Sequence, residues 1–511
     1  MAPHPPWLAS LLAKPSEAPK LYAWTPANLG LGDEPPRPAP SRTVRDQDPS
    51  HRIYILGAGN MGRLYAIYLS KHDPPPPITL VVHRPSLLEA WRSSPGVTFT
   101  HHGATETVAD LDIEYWTTEE PARGPAREVC DGGFIPNIIV STKAGDALPE
   151  VDRMRRYLSA SSTVALAQNG MSKLWPPHGP AYTSARFSRR HGGGGGSTIG
   201  GREGEGEGKG KGERLAGSEE EEGKGDEAPN FAHCITTHGV VSLAPFTSRH
   251  ASLADAKVGL VLPNPRTRGA AEWLLGAIAS APLLDSRRVG RADLWALQLE
   301  KLVVNAVINP LTAVLRCKNG ALFADGPGGV LAKVMDRLLE ETSGVYLRLV
   351  SHPSSDAILL SDYGDGTITA AATATATAVN DTNEHDLLVA ARARLEPRFA
   401  VASLRDMLWA VGRKVTENTS SMLQDVQAGK STEIRDFNGW ILDTARFLDS
   451  SSSSSSLPSH QHPRAAEAGC PLPSPPPPPL DVKCHARLMD LVESGVTMTA
   501  EQLGEALLGE L

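Results

Sequence analysis

The chain has 511 residues, and its 47 glycines and 42 prolines exceed average usage, which indicates low-complexity segments added to a folded protein. A hydrophobic content of 40% and a charged content of 21% allow a real core and exclude wholesale disorder or a collagen-like repeat. A formal net charge of −8 gives no basic footprint for nucleic acid, and five unclustered cysteines show neither a zinc spacing nor a disulfide framework.

The sequence shows no membrane or secretory pattern. No uncharged apolar run reaches the roughly 18 residues that a membrane span needs. Residues 1–50 are rich in proline, carry several acidic residues and lack the charged-then-apolar pattern of a secretory signal. We therefore expect a cytoplasmic protein, with the mitochondrion as the alternative compartment, and we expect neither nucleic acid nor a membrane among its partners.

Four stretches have compositions that bury too little apolar surface to offset the entropy of ordering them. They are a disordered Pro-rich tail over residues 1–50 and low-complexity insertions at about 177–230, 351–391 and 450–479. About two-thirds of the chain then remains as folded sequence, a length that is typical of two domains.

Between residues 51 and 265, β-rich runs alternate with helical patterns. The runs lie at 53–56, 78–82, 138–141, 164–166 and 235–237. Helical patterns at 61–70 and 147–158 separate several of them. This alternation predicts a parallel α/β sheet and hence a Rossmann-like N-terminal domain.

From residue 266 to residue 511 the apolar spacing changes to three and four residues, and strand-like runs vanish. The helical segments lie at 289–309, 328–349, 397–414, 433–448 and 481–492. We therefore expect an all-α C-terminal domain.

A G-x-G-x-x-G motif directly follows the apolar run at 53–56 and directly precedes a helical pattern. In that context its glycines allow a tight turn, close approach of a pyrophosphate, and close packing of helix on strand. The alternative is a tight β–α turn without a ligand. The residues of this candidate dinucleotide loop are Gly57, Ala58, Gly59, Asn60, Met61 and Gly62.

The end of the second strand favours NADPH over NADH. An NAD site usually places Asp or Glu there, but this strand continues into His83 and Arg84 without a carboxylate. The Arg84 guanidinium suits a 2′-phosphate; alternatively it is a solvated loop residue. Lys143 and Asn169 follow the next two strands, where ligands bind, although a loop lysine and an Asn-Gly turn are also common in solvent.

Lys301, Asn305 and Asn309 lie four residues apart within a strongly apolar helical segment. At about 100° per residue they fall on one face of the helix. A solvent-facing stripe is the alternative to a ligand-facing one, but two asparagines cost helix propensity and make more sense beside a ligand. We expect Pro310 to end or kink the helix at Asn309.

Two further segments carry polar side chains at helix starts. In the segment 418–425, Ser421 either caps a helix or binds a carboxylate. In the segment 430–434, Glu433 precedes an amphipathic helix, where by itself it would complement the helix dipole.

Taken in order, these motifs resemble those of the ketopantoate reductase (2-dehydropantoate 2-reductase) family, within the 6-phosphogluconate-dehydrogenase-like superfamily. The Lys/Asn/Asn helix followed by Ser-Ser-Met and Thr-Glu-Ile is far more specific than the glycine loop alone. The low-complexity insertions fall between these motifs. The matching segments are 57–62, 141–143, 168–171, 237–239, 301–312, 317–320, 418–425, 432–434 and 438–439.

The resemblance implies NADPH-dependent reduction of 2-dehydropantoate to (R)-pantoate, a step of pantothenate and coenzyme A biosynthesis. It implies that Lys301 is the general acid and that Glu433 holds Lys301 and contacts cofactor or substrate. It adds Gly239 to the cofactor-binding residues and places Lys143 and Asn169 beside the nicotinamide. No metal is implied, and a homodimer is left open. The implied substrate-binding residues are Asn169, Lys301, Asn305, Asn309, Asn319 and Ser421.

Two alternatives remain open from the sequence. One is another 2-oxo acid or imine reductase of the same superfamily, which would differ in the groups that bind the substrate. The other is a catalytically inactive NADPH-binding scaffold protein, against which the retention of both Lys301 and Glu433 argues.

Overall fold

The structure is a computed structural model that describes residues 4–29, 49–101, 103–188, 227–361, 383–454 and 477–509. None of the helices in these ranges is long and apolar enough to cross a membrane. The strands are β1 (Tyr22–Trp24), β2 (Ile53–Leu56), β3 (Ile78–Val82), β4 (Val97–His101), β5 (Ala104–Val108), β6 (Asp112–Thr117), β7 (Asn137–Val140), β8 (Thr163–Leu166), β9 (Asn230–Thr236), β10 (Gly239–Ala244), β11 (Thr247–Ser252), β12 (Ala256–Leu262) and β13 (Ser286–Arg288).

The α-helices of the described ranges divide into a set around the strands and a set that follows them. The first set is α1 (Pro6–Leu12), α2 (Asn60–Leu69), α3 (Pro85–Ser93), α4 (Ala144–Met154), α5 (His178–Phe187) and α6 (Glu272–Ala279). The second set is α7 (Arg291–Leu315), α8 (Val330–Ser351), α9 (Asp356–Leu359), α10 (Glu384–Phe399), α11 (Val401–Lys414), α12 (Ser421–Gln427), α13 (Ile434–Ser454), α14 (Lys483–Glu493) and α15 (Ala500–Leu508).

Nine strands of the described chain form one sheet in the order β1-β6-β3-β2-β7-β8-β9-β12-β13. From β6 to β9 every neighbouring pair is parallel. β1 and β12 run antiparallel to β6 and β9. The central strands read as continuous apolar runs because both of their faces are buried. The expected Rossmann-like domain followed by a helical domain is confirmed.

A second, four-stranded sheet in the order β10-β11-β4-β5 lies beside the glycine loop. Its strand β10 packs against α2, and Asn60 donates a hydrogen bond from Nδ2 to the Val240 oxygen at 3.0 Å. The β10–β11 hairpin therefore borders the candidate dinucleotide loop.

The expectation of a disordered tail over residues 1–50 is wrong for residues 4–29. Helix α1 packs against α5, and β1 adds an antiparallel strand to the sheet. Leu8 and Leu21 are fully buried, and the Tyr157 hydroxyl accepts a hydrogen bond from the Leu21 amide at 2.8 Å. Composition missed this segment because the residues that cover it lie far along the chain.

The predicted insertions are also shorter than expected, because regular elements occupy the ends of each that the structure describes. α5 and β9 occupy parts of 177–230, α9 and α10 occupy parts of 351–391, and α13 extends to Ser454. The other parts of the predicted tail and insertions, at 1–3, 30–48, 189–226, 362–382 and 455–476, lie outside the described residues.

The expected domain boundary at residues 265 and 266 falls before the last strand of the sheet. β13 pairs in parallel with β12, and α6 packs against both strands. The sheet therefore extends to Arg288, and α7 begins the helical part at Arg291. The sequence Ser286-Arg287-Arg288 has no apolar alternation, so it gave no strand signal.

Of the two effects expected of Pro310, an end or a kink of the helix at Asn309, the end is not found: helix α7 has 25 residues and continues through Pro310. A proline removes the N–H that would bond to the carbonyl four residues earlier, which here belongs to Ala306. Asn438 of α13 donates a hydrogen bond from Nδ2 to the Ala306 oxygen at 3.0 Å. A side chain of the neighbouring helix thus satisfies the freed carbonyl, and the helix extends to Leu315.

Replacing Asn438 should therefore destabilise the fold by an amount that depends on Pro310. We expect Asn438→Ala to lower the free energy of unfolding by about 1–3 kcal/mol, because it leaves the buried Ala306 oxygen unsatisfied. In a Pro310→Ala background an N–H again faces that oxygen, so the same substitution should cost about 1 kcal/mol less. Denaturant unfolding of the four proteins measures the difference; strictly additive effects would contradict this account.

Candidate active site

The glycine loop is closed on one side and open on the other. Gly57 has φ +101°, a conformation that side-chain-bearing residues rarely adopt. A Cβ on Gly62 would lie 1.9 Å from the Gly57 oxygen, whereas a Cβ on Gly59 would meet no atom within 4 Å. The loop thus folds tightly on itself and leaves free space at its second glycine, beside the N-terminus of α2. This shape fits the pyrophosphate of a dinucleotide.

Ser141 fixes the loop against the next strand. Its Oγ donates to the Gly57 oxygen at 2.7 Å and lies 3.1 Å from the Leu56 oxygen. Arg84 follows β3 at the N-terminus of α3, and its side chain is exposed. The carboxyl end of β3 thus carries a guanidinium that is accessible to a ligand.

A cleft of about 160 Å³ opens where the carboxyl ends of the strands meet α7 and the start of α13. It brings together Lys301, Glu433, Lys143, Asn169, Asn60 and Met61 from the predicted set. Its other lining residues are Ser141, Thr142, Ala167, Gln168, Cys234 and Thr236.

Lys301 projects from α7 into this cleft. Its Nζ donates to the Thr236 carbonyl oxygen at 2.7 Å and to Asn169 Oδ1 at 3.2 Å. Removal from water lowers the pKa of Lys301 to about 8, with Lys257 contributing in the same direction and Glu433 opposing it. The amine is thus held in one position and titrates close to neutral pH, as a general acid should.

Glu433 acts on Lys301 by charge rather than by a hydrogen bond, which differs from the expectation that it holds the lysine. Its Oε1 accepts a hydrogen bond from the Ala144 amide at the N-terminus of α4, at 3.0 Å. Burial raises the pKa of this carboxyl above its usual value, and the Ala144 hydrogen bond opposes the shift.

Lys143 joins the sheet to the helical part of the molecule. Its Nζ forms an ion pair with Asp425 of α12 at 3.0 Å and donates to the Ser431 oxygen at 2.6 Å. The lysine lies at the cleft, but its hydrogen bonds connect the two parts of the chain across it.

The remaining predicted substrate residues lie farther along α7 and around it. Asn309 Nδ2 is 3.4 Å from Ser421 Oγ, and Ser421 is exposed. Within the described part of the chain, Asn305 and Asn319 each keep a buried amide atom without a hydrogen-bond partner, Nδ2 in Asn305 and Oδ1 in Asn319. Unsatisfied buried polar atoms are uncommon, but neither residue is among those that line the cleft.

Gly239 is not among the residues that line the cleft. It begins β10, where a Cβ would lie 2.3 Å from the rotatable Ser252 Oγ and 3.5 Å from the Ser252 backbone nitrogen. Sequence reasoning missed Thr236, whose backbone oxygen binds Lys301, because a backbone carbonyl leaves no mark in a sequence.

Comparison with known proteins agrees with this architecture. The family model "Ketopantoate reductase PanE/ApbA" matches residues 53–181, and "Ketopantoate reductase PanE/ApbA C terminal" matches residues 293–451. A ketoisovalerate reductase of Gibberella fujikuroi is 37% identical over 99% of both chains, and one of Beauveria bassiana is 36% identical over 99% of both.

Among solved structures, a probable 2-dehydropantoate 2-reductase from Bacillus subtilis matches 87% of this chain and 99% of its own. The identity is 18% and the TM-score is 0.47. From the two family models and the full-length relatives, we conclude that the chain belongs to the ketopantoate reductase PanE/ApbA family.

Proposed function

We propose that this protein reduces a short, branched 2-oxo acid to the 2-hydroxy acid with NADPH, and that Lys301 donates the proton. The observation that carries the proposal is the Lys301 amine, which lies in the cleft near the glycine loop, is held by Asn169 and Thr236, and has a pKa of about 8. Membership of an oxidoreductase family supports the reaction class.

The residues present fit a bound dinucleotide. The glycine loop at 57–62 would hold the pyrophosphate, Arg84 the 2′-phosphate, and Asn169 with Lys143 would border the nicotinamide. When bound, NADPH supplies the hydride that adds to C2 of the substrate. The chain's own residues then have to orient the ketone, exclude water and provide one proton.

Lys301 provides that proton in our proposal. Its ammonium hydrogen-bonds the C2 carbonyl oxygen, and the proton moves from Nζ to this oxygen as negative charge develops there. Asn169 and Thr236 keep Nζ in place. The negative charge of Glu433 favours the protonated, competent form of the lysine, because it opposes the effect of burial on the Lys301 pKa.

The amide groups along α7 would bind the rest of the substrate. Asn305 lies one helical turn beyond Lys301, and its Nδ2 has no partner among the described residues. Asn309 and Ser421 lie one turn farther, and Asn319 offers its Oδ1. These donors and acceptors suit a carboxylate and a hydroxyl at increasing distance from the reacting carbon.

Ketoisovalerate is the first candidate substrate, because two full-length relatives carry that name. 2-Dehydropantoate, the substrate implied by the sequence motifs, is the second. Both are branched 2-oxo acids, and they differ by a hydroxymethyl group that ketoisovalerate lacks.

An NADPH-oxidation assay with both acids tests the substrate assignment. We expect a higher kcat/KM for ketoisovalerate, because two full-length relatives carry its name, with discrimination of up to about a hundredfold against the added hydroxymethyl group. A preference for 2-dehydropantoate by several orders of magnitude would instead show a site built around that hydroxyl. Absence of turnover with both acids and with a panel of other 2-oxo acids would contradict the proposed reaction.

Removing the proposed acid should abolish most of the activity. We expect Lys301→Ala to lower kcat by about 10²–10⁴-fold, the usual contribution of a positioned general acid. Lys71→Ala is the control, since Lys71 is paired with Glu106 outside the cleft and should turn over like the wild type. Equal turnover of the Lys301 variant and the wild type would contradict the assigned role.

The pH dependence of kcat/KM should follow the protonation of Lys301. The acid has to carry its proton, so we expect kcat/KM to fall about tenfold per pH unit above a pKa of about 8. Lys257 lowers this pKa by its charge, so Lys257→Met should move the alkaline limb to higher pH. The pH–rate profiles of the two proteins measure the shift, and a shift in the opposite direction would contradict the electrostatic account.

A further inference from the structure

Arg63 is a buried arginine directly beside the glycine loop. It follows Gly62 in the first turns of α2, and 7% of the residue is exposed. Its Nε donates to the Ala58 oxygen inside the loop at 2.8 Å. The same guanidinium therefore contacts the backbone that is proposed to approach the dinucleotide phosphates.

The remaining side-chain hydrogen bonds of Arg63 all go to the β10–β11 hairpin. Nη1 lies 3.0 Å from the oxygens of Ala244 and Thr247, and within 3.2 Å of the Ser242 and Ser248 hydroxyls. No hydrogen bond within the described ranges uses Nη2. The side chain thus connects the glycine loop to the hairpin and still has donors to spare.

Every one of these partners is neutral. No carboxylate of the described residues forms an ion pair with Arg63, and burial lowers its pKa to about 10 without an opposing acidic group. Burying a charge without a counter-charge is costly, whereas a neutral amide side chain makes similar hydrogen bonds to carbonyls without that cost. Holding the hairpin therefore does not by itself explain the charge.

Arg155 provides the contrast within the same domain. It is 8% exposed and forms an ion pair at 3.0 Å with Asp152, a carboxylate that it shares with Arg186. Its remaining hydrogen bonds reach the Asp152 and Pro15 oxygens, away from the glycine loop. Arg155 thus has a carboxylate partner at a site away from the glycine loop, whereas Arg63 has none among the described residues.

We propose that Arg63 is a cofactor-binding determinant: its buried charge is balanced by the phosphate groups of the dinucleotide that the glycine loop holds. The ligand is an anionic, phosphorylated dinucleotide. Arg63 acts on it through the glycine loop and the adjoining hairpin. This inference rests on the proposed use of NADPH.

Two substitutions separate charge from hydrogen bonding. Arg63→Gln and Arg63→Lys both remove the guanidinium fork, but only the lysine keeps the positive charge. We expect Arg63→Gln to raise the Kd for NADPH by about 10- to 100-fold, because it removes the attraction between one positive charge and the phosphates in a partly buried environment. Arg63→Lys should stay within about fivefold of the wild type. Arg155→Gln is the matched control and should bind NADPH like the wild type.

Binding is measured without substrate, by NADPH fluorescence titration of the purified proteins, after circular dichroism has shown that each is folded. Equal weakening by Gln and Lys would assign Arg63 to hairpin hydrogen bonding and overturn the proposal, as would failure of both variants to fold. If only the Gln variant fails to fold, the Kd of the Lys variant for NADPH decides. A Kd close to that of the wild type supports the role of the charge, and binding that is more than tenfold weaker overturns it. A wild type that binds no NADPH would overturn the proposed function as well, whereas tight binding by both the wild type and Arg63→Gln would overturn only this inference.

Discussion

The arrangement of the cleft depends on burying one lysine amine in a long helix. Desolvation of Lys301 is unfavourable, and its pKa of about 8 records that cost. Two oxygens offset part of it, one from the loop after β8 and one from the end of β9. These acceptors exist only if the sheet and α7 are correctly docked, so the position of the amine reports on the packing of the whole molecule.

Polar contacts also fix how the helical part packs on the carboxyl end of the sheet at other points. Lys143 pairs with Asp425, Glu433 accepts the Ala144 amide, and Lys173 pairs with Asp436 at 2.9 Å. Each contact joins a residue at the carboxyl end of the sheet to one on the helical side. Apolar packing alone would allow sliding at this junction, whereas paired charges and a capped helix fix the register of the two surfaces.

The sequence predicted the parts of the fold that local patterns determine. The apolar runs at 53–56 and 78–82 became strands with those bounds, because a strand buried on both faces needs no information from its neighbours. Residues 4–29 were missed, since what orders them is a surface formed by distant elements. The end of the helix expected at Pro310 is absent for a similar reason: the missing hydrogen bond is compensated by Asn438, more than a hundred residues later.

For the site, too, the sequence predicted what local patterns determine and missed what depends on distant contacts. Lys301, Asn305 and Asn309 stand out because polar residues at helical spacing interrupt an apolar helix, and the glycine loop has a fixed order of residues. The Thr236 oxygen and the hydrogen bond from Ala144 to Glu433 were not predictable, because they involve backbone atoms whose positions only the fold determines. The neutral surroundings of Arg63 likewise become visible only when the hairpin is in place.

Cys234 lines the cleft, and the reactivity of its thiol determines whether reagents can modify the cleft at this residue. Burial raises the pKa of its thiol to about 12, so almost none of it is thiolate at neutral pH. Electrophiles and peroxides react with thiolates, and this sulfur offers them little to attack. Cys234 should therefore resist oxidation, and molecules directed at the cleft will not be captured covalently through this sulfur.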